Sequence, residues 1–256
     1  MISVSELKDQ IKEKGFLEKM SWLYCCDETE ARNHTERYLH VLEGLKETFG
    51  RHECAALFSA PGRTEIGGNH TDHQHGCVVA GSVNIDMIAA TGPNACGKIR
   101  LKSEGYEPCE VSLDDLEKKP EEEGTSVSIL RGTCRAFAER GANLSGLDLY
   151  VTSNVPGGSG ISSSAAFETL LGTVINELFM KENKADSIEI AKIGQRVENE
   201  YFGKPCGLMD QMASSVGGVI AIDFKDPSSP VVKKIGFDLK KAGLALCIIN
   251  SGADHS

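Results

Sequence analysis

The stretch Ser153-Asn154-Val155-Pro156-Gly157-Gly158-Ser159-Gly160-Ile161-Ser162-Ser163-Ser164-Ala165-Ala166 carries a strand into a proline, strips the side chains from a tight turn and opens a helix on consecutive serines. Each part has a chemical use. Glycines let backbone N–H groups converge on an anion, the helix start adds unpaired N–H donors and the positive end of its dipole, and hydroxyls add donors or a ligand for a hard cation. The segment reads as a phosphate cradle. It holds no lysine, so it is not a G-x-x-x-x-G-K-[ST] loop, and Ile161 stands where a G-x-S-x-G elbow needs its second glycine. The plainer alternative is a strand-to-helix turn with Ser162 as an ordinary N-cap.

Upstream, LDLYVTS (147–153) is a β-rich apolar run, as are AALFS (55–59), NIDMIAAT (84–91) and KIRLK (98–102). Downstream, apolar residues at helical spacing mark 162–181 and 185–202, and the same pattern marks 126–140. The end returns to strands at VIAIDF (219–224), VVKKI (231–235) and LALCIIN (244–250). Two helices precede all this. Residues 3–14 open on a Ser3/Glu6 capping box and stop near Gly15, and 27–49 carries Tyr38, Leu42, Leu45 and Phe49 on one stripe. Strands come as neighbours and helices in a block, without βαβ alternation, so the fold expected is an α+β layered domain over 51–256 behind a helical extension over 1–50.

Two further segments concentrate polar side chains. Pro61 to Gly76, read as a loop, offers Arg63, Asn69, His70 and Asp72, a fixed cation with neutral donors and a carboxylate suited to a polyhydroxylated ligand. The same loop admits a zinc reading through His70, Asp72, His73 and His75. Further on, Glu198 and Asp210 flank a Pro/Gly turn and could face one cleft, one holding Mg²⁺ while the other accepts a proton. A surface-helix Glu198 and a first-turn Asp210 favoured by the helix dipole are the bland counterparts.

Composition narrows the partners. The 256 residues carry 37 acidic and 27 basic side chains, a net charge of −10 that would repel a nucleic acid backbone. No run approaches the ~18 apolar residues of a membrane span, and the N-terminus lacks a signal-peptide layout, so a soluble cytoplasmic protein without membrane partners is expected. Nine scattered cysteines without a C-x-x-C pair read as reduced thiols.

Taken together, SAPGRTEIGGNHTDHQHG, VPGGSGISSSAAFE and VENEYFGKPCGLMDQ resemble, in order and spacing, the galactokinase branch of the GHMP sugar and metabolite kinases, over roughly residues 55–256. The resemblance implies the family's N-terminal domain, of the ribosomal protein S5 domain 2-like fold, and ATP- and Mg²⁺-dependent phosphorylation of a hexose at its anomeric hydroxyl. It implies that Gly158, Ser159, Gly160, Ile161, Ser162, Ser163 and Ser164 wrap the phosphates, with Ser164 and Glu198 on Mg²⁺. Asp210 would take or orient the proton of the attacking hydroxyl, and Arg63 would stabilise the transferring phosphoryl group. Arg63, Asn69, His70, Asp72 and Asp210 would line the sugar.

Galactose to galactose 1-phosphate is the leading expectation. Galactokinases usually read GRVNLIGEHTDY, whereas this chain has Glu65, Asn69 and His73 at the Asn, Glu and Tyr positions. Loss of the acid at 69 removes a strong hydroxyl acceptor and also a repulsion against an acidic sugar, so galacturonokinase or L-arabinokinase activity is the alternative. A non-catalytic galactokinase-like sensor is a third possibility, disfavoured because Asp210, Arg63 and Glu198 are all present. The family's second, ferredoxin-like domain carries a further glycine-rich motif that does not occur before Ser256. The expectation is therefore an N-terminal portion with that C-terminal domain missing, inactive alone.

Overall fold

The computed structural model describes residues 1–158 and 160–249. Ser159 lies outside the described residues, as do 250–256, and with them the expectations for Ser159 in the phosphate cradle and Asn250 in a last strand.

The sheet is built around β3 (Cys77–Pro93), which β2 (Cys54–Gly67) accompanies antiparallel from Ala56↔Thr91 to Gly67↔Val79. The far edge of β3 is shared: β6 (Leu147–Ser153) pairs with Met87–Pro93 and β7 (Val219–Asp223) with Cys77–Gly81, both antiparallel. Beyond β6 come β4 (Lys98–Ser103), parallel to it, and β5 (Cys109–Ser112). β8 (Val231–Ile235) extends β7, and β1 (Ile2–Ser3) caps the β2 edge. One eight-stranded sheet results.

Period-two alternation sends neighbouring side chains of β3 into different cores. Met87 and Ala89 meet α4 (Ser126–Glu139), α5 (Ser163–Phe179) and α6 (Ser187–Val197) in a cluster with Leu130, Phe137, Leu170, Val174 and Ile190. Ile88 and Ala90 meet the N-terminal helices on the opposite face, against Ile11, Met20, Tyr38, Leu42 and Leu45. Burying each such aliphatic or aromatic side chain contributes about 1.5–3 kcal/mol. Covered on both sides, β6 is buried at every position from Leu147 to Thr152. A third cluster joins α7 (Met209–Val216) to β7 and the start of β3 through Met209, Met212, Val78, Ala80, Ile220 and Ile222.

Several expected boundaries move, each for a local reason. Ser3 caps α1 (Val4–Lys12), its hydroxyl accepting the Glu6 N–H at 3.2 Å, but the helix breaks at Glu13, whose ψ is 150°. Gly15 then falls in the first turn of α2 (Lys14–Leu23), a helix that the spacing did not reveal, and α3 (Glu28–Phe49) follows with Asp27 as N-cap. Pro61 to Gly67 is strand, not loop. β2 accommodates Pro61 beside a bulge, and a second irregularity follows Glu65, so polar residues hid the strand signal. The true loop is 68–76. Leu244 to Ile249 forms no strand: among the described residues the segment joins no β-ladder, and it exposes Leu244, Leu246, Ile248 and Ile249. An apolar run supplies a strand's side chains but not its neighbour, and without a sheet edge to add to it stays unpaired.

Candidate active site

The start of α5 is where the separate segments meet. The chain leaves β6 through Gly158 and Gly160, with φ of 68° and 74°, a left-handed backbone that side chains resist. Ser162 occupies the N-cap position yet makes no capping hydrogen bond; its own φ is 56°. Its hydroxyl instead donates to Asp210 Oδ2. The ordinary N-cap alternative is thereby displaced.

Asp210 sits in the first turn of α7, and Arg63 reaches it from β2. Arg63 Nε donates to Oδ1 at 2.7 Å and Nη2 to Oδ2 at 2.6 Å, while Nη1 donates to the Gly160 carbonyl. The Arg63 N–H completes the junction by donating to the Ile161 carbonyl at 3.1 Å. One turn along α7 from Asp210, the Ser214 hydroxyl donates to the Pro61 carbonyl at 2.7 Å. The helix carrying the acid and the strand carrying the cation are therefore fixed to each other twice. Burial opposes ionisation of Asp210, but the two Arg63 hydrogen bonds, its charge and the Ser162 hydroxyl outweigh that and hold the carboxyl below its usual range. Its side chain keeps 29 % exposure, so it remains reachable from solvent.

The 68–76 loop is docked on the same helix. Asp72 is buried, and its Oδ2 accepts the Met209 N–H at 3.2 Å. A Cβ on Gly207 would lie 1.7 Å from that oxygen, so only glycine lets the carboxylate approach. The other oxygen of Asp72 faces His73 Nδ1 at 3.3 Å. Asn69 and His70 are exposed and left-handed, with φ of 55° and 50°. Glu65 steadies them by accepting the His70 N–H at 3.0 Å. Among the described residues no three or more His, Cys, Asp or Glu side chains gather as a metal site, so the zinc reading of His70–His75 has no support.

On the other side of the α5 terminus lies a cavity of about 500 Å³. Its lining is mixed: Ser163, Ser164, Glu168 and Glu198 contribute polar groups, and Met87, Ile129, Val151, Phe167 and Phe202 contribute apolar surface. The serines thus divide: Ser162 turns to Asp210, Ser163 and Ser164 to the cavity. Ile161 is different again, because its side chain is buried in the core and only its backbone is available to a ligand.

Glu198 is buried where α6 passes into a wider helical turn over Glu198–Phe202. Its Oε2 accepts from Gln211 Nε2 at 3.0 Å, and Lys204 Nζ stands 4.0 Å from its Oε1. Glu168, which motif reading left without a role, lies beside it. Burial and the neighbouring Glu198 carboxylate push Glu168 well above the usual carboxylate range. Glu65, Glu168 and Gln211 are the site residues missed in the sequence; the only signal for Glu168 was its position one turn beyond Ser164. All nine cysteines are free, and burial pushes the Cys134 thiol up to about 12, so its character is that of a core filler.

Comparisons with known proteins find relatives over most of the chain. Residues 128–218 match the family described as GHMP kinases N terminal domain, and residues 44–93 match the galactokinase galactose-binding signature. The chain carries the α+β N-terminal domain of the GHMP kinases. Within that family its likeness is to the galactokinases. It is 32% identical to the galactokinase of Streptomyces coelicolor over 219 residues, 84% of this chain and 55% of that protein. It is 34% identical to the galactokinase of Lacticaseibacillus casei over 178 residues, 69% of this chain and 45% of that protein. The crystal structure of Lactococcus lactis galactokinase complexed with galactose superposes with a TM-score of 0.69 at 28% identity, covering 79% of this chain and 53% of that one. The chain spans about half the length of the relatives it matches. Among the described residues no helix is long and apolar enough to cross a membrane.

Proposed function

We propose that the protein phosphorylates a hexose at its anomeric hydroxyl at the expense of ATP, with galactose as the substrate. The observation that carries this is the Arg63–Asp210 pair, bound in parallel at 2.6–2.7 Å and set against the start of α5. An ionised carboxylate and a fixed guanidinium beside a helix N-terminus are what in-line phosphoryl transfer needs, since that reaction depends on positioning and charge neutralisation more than on covalent chemistry.

ATP fits the cavity in kind. The apolar part of its lining, Ile129, Val151, Phe167 and Phe202, suits a nucleobase, and Gly158, Gly160 and the first turn of α5 offer backbone donors to the phosphates. Mg²⁺ fits as well: Ser164 and Glu198 supply the oxygen ligands a hard cation takes, and Glu168, which lines the same cavity, leaves a buried oxygen, Oε1, without a hydrogen-bond partner. Bound, the ion would neutralise phosphate charge. Asn69, His70 and Asp72 would hold sugar hydroxyls. Asp210, kept ionised, would accept a hydrogen bond from the attacking hydroxyl and align it. Arg63 would hold that carboxylate in place and offset charge on the transferring group.

A second reading, a sugar bearing a carboxylate, is favoured by one feature. Position 69, acidic in the usual galactokinase pattern, is here the neutral and exposed Asn69, beside the exposed His70. An ATP-consumption assay of the complete gene product against galactose, galacturonate, N-acetylgalactosamine and L-arabinose separates these. Turnover of galactose is expected; turnover of galacturonate alone would transfer the assignment to the second reading, and no turnover of any sugar would overturn both.

A further inference from the structure

Glu168 has no place in the chemistry described so far, yet its surroundings are specific. Ser164 and Glu168 are four residues apart on α5 and share a face, and both line the cavity. Glu168 is 1% exposed. Its Oε2 accepts from Gln211 Nε2 at 2.9 Å, and the same nitrogen donates to Glu198 Oε2 at 3.0 Å. Gln211 is fully buried and follows Asp210 directly. Among the described residues, neither Glu168 Oε1 nor Gln211 Oε1 has a hydrogen-bond partner.

One carboxamide nitrogen thus ties together α5, the end of α6 and α7. A Gln side chain offers both its donors from that single atom, and its torsion is set by where its acceptors lie. With Glu168 and Glu198 as the two carboxylate acceptors, the amide plane is fixed from both sides, and with it one oxygen of Glu198. Remove the Glu168 acceptor and Nε2 keeps only Glu198 and the weaker Cys206 sulfur at 3.6 Å, so one of the two carboxylates that fix its torsion is gone. The hold of Gln211 on the plane of the Glu198 carboxylate loosens with it.

We propose that Glu168 is a positioning residue: through Gln211 Nε2 it orients Glu198 for the divalent cation that Ser164 and Glu198 would bind. This rests on the kinase reading above. Outer partners of a ligating carboxylate affect metal affinity by about 10–100-fold when removed, so the effect is large enough to measure.

The test is Mg²⁺ titration of ATP binding to the complete gene product by calorimetry, without sugar, in wild type, Glu168→Gln and Glu168→Met. Glu168→Gln keeps shape and an acceptor oxygen toward Gln211 and should stay within about twofold of wild type. Glu168→Met keeps length but has no such acceptor, and should raise the Mg²⁺ concentration for half-saturation about tenfold while metal-free ATP binding changes less than twofold. Gln211→Met cuts the same link from the other end and should reproduce the weakening, which keeps the test alive if Glu168→Met does not fold. Unchanged Mg²⁺ dependence in both Met variants overturns the proposal. So does a Glu168→Gln protein as impaired as Glu168→Met, which would assign the effect to charge. A wild type whose ATP binding ignores Mg²⁺ overturns the kinase reading as well, and that control tells the two failures apart.

Discussion

Arg63 grips Asp210 with two parallel hydrogen bonds, Nε to Oδ1 at 2.7 Å and Nη2 to Oδ2 at 2.6 Å, across 147 residues of sequence. Lysine cannot reproduce that fork. In Arg63→Lys, turnover of galactose should fall by about 10²–10³-fold, the range seen when one preorganised donor is lost. The pH dependence should move as well. Arg63 holds the Asp210 carboxyl below its ordinary range, so the acid limb of the wild-type rate profile attributable to Asp210 lies low. Weakening the grip raises the Asp210 pKa, and the limb should shift to higher pH. An unshifted limb would mean that Asp210 is not the group titrating.

Gly207 and Asp72 make a close packing pair, with a Cβ on the glycine placed 1.7 Å from Asp72 Oδ2. Gly207→Ala should expel the Asp72 carboxylate and release the 68–76 loop from the Met209 N–H. Overpacking of this kind costs roughly 1–3 kcal/mol, readable as a lower urea midpoint. Galactose affinity should fall with it. Normal affinity in a destabilised Gly207→Ala protein would separate the loop's docking from sugar binding.

Asp86 joins the N-terminal helices to the sheet. It is 2% exposed, accepts from Tyr24 Oη at 2.6 Å and from Ser59 Oγ at 2.5 Å, and is ion-paired with Arg37, whose Nη1 lies 3.0 Å from Oδ1. Removing one partner of a buried ion pair is typically destabilising by about 3–5 kcal/mol, so Asp86→Ala should lose stability on that order in chemical denaturation. Tyr24→Phe, which deletes the hydrogen bonds to Asp86 and Tyr38 and leaves the stack on His34, should lose about 2–3 kcal/mol. Equal losses in the two variants would show that packing, not the ion pair, dominates.

Asp148 on β6 gives a pH signature. Burial disfavours its ionised form, but hydrogen bonds from Arg100, His52 and Asn94 outweigh burial and lower its pKa. A carboxyl depressed in the folded state contributes stability above its unfolded value of about 3.9 and loses it as pH falls through the lower folded value. The stability gap between wild type and Asp148→Asn should therefore be constant near neutral pH and close on acidification below about 4. A gap that persists at pH 2 would assign the effect to shape.

Much of this architecture is legible from local pattern. The helix-period runs gave α3, α4, α5 and α6, and the glycine–serine turn marked the start of α5 because glycine and a helix terminus act through the backbone. What local pattern could not show was pairing at a distance. β2 looked like loop from Pro61 to Gly67 because its polar residues face a site, and only β3 beside it makes it a strand. LALCIIN looked like strand because its side chains are apolar, yet residues 244–249 join no β-ladder among the described residues. Ser162 read as part of the phosphate cradle, with an ordinary helix cap as the alternative, whereas its left-handed backbone sends the hydroxyl to Asp210. The Glu168–Gln211–Glu198 link was invisible for the same reason, since three helices must pack before one amide can bridge two acids.

The most direct measurement is a paired one on Asp210→Asn in the complete gene product: single-turnover phosphoryl transfer from ATP to galactose, and galactose binding by calorimetry on the same preparation. Asparagine keeps the size of the side chain and one acceptor for Arg63 but not the charge. Transfer should fall by about 10²–10⁴-fold, the scale of a positioned acid–base group, while galactose affinity stays within about tenfold, ~1.4 kcal/mol. Transfer at the wild-type rate with intact binding would contradict the assignment of Asp210 as the residue that aligns the attacking hydroxyl.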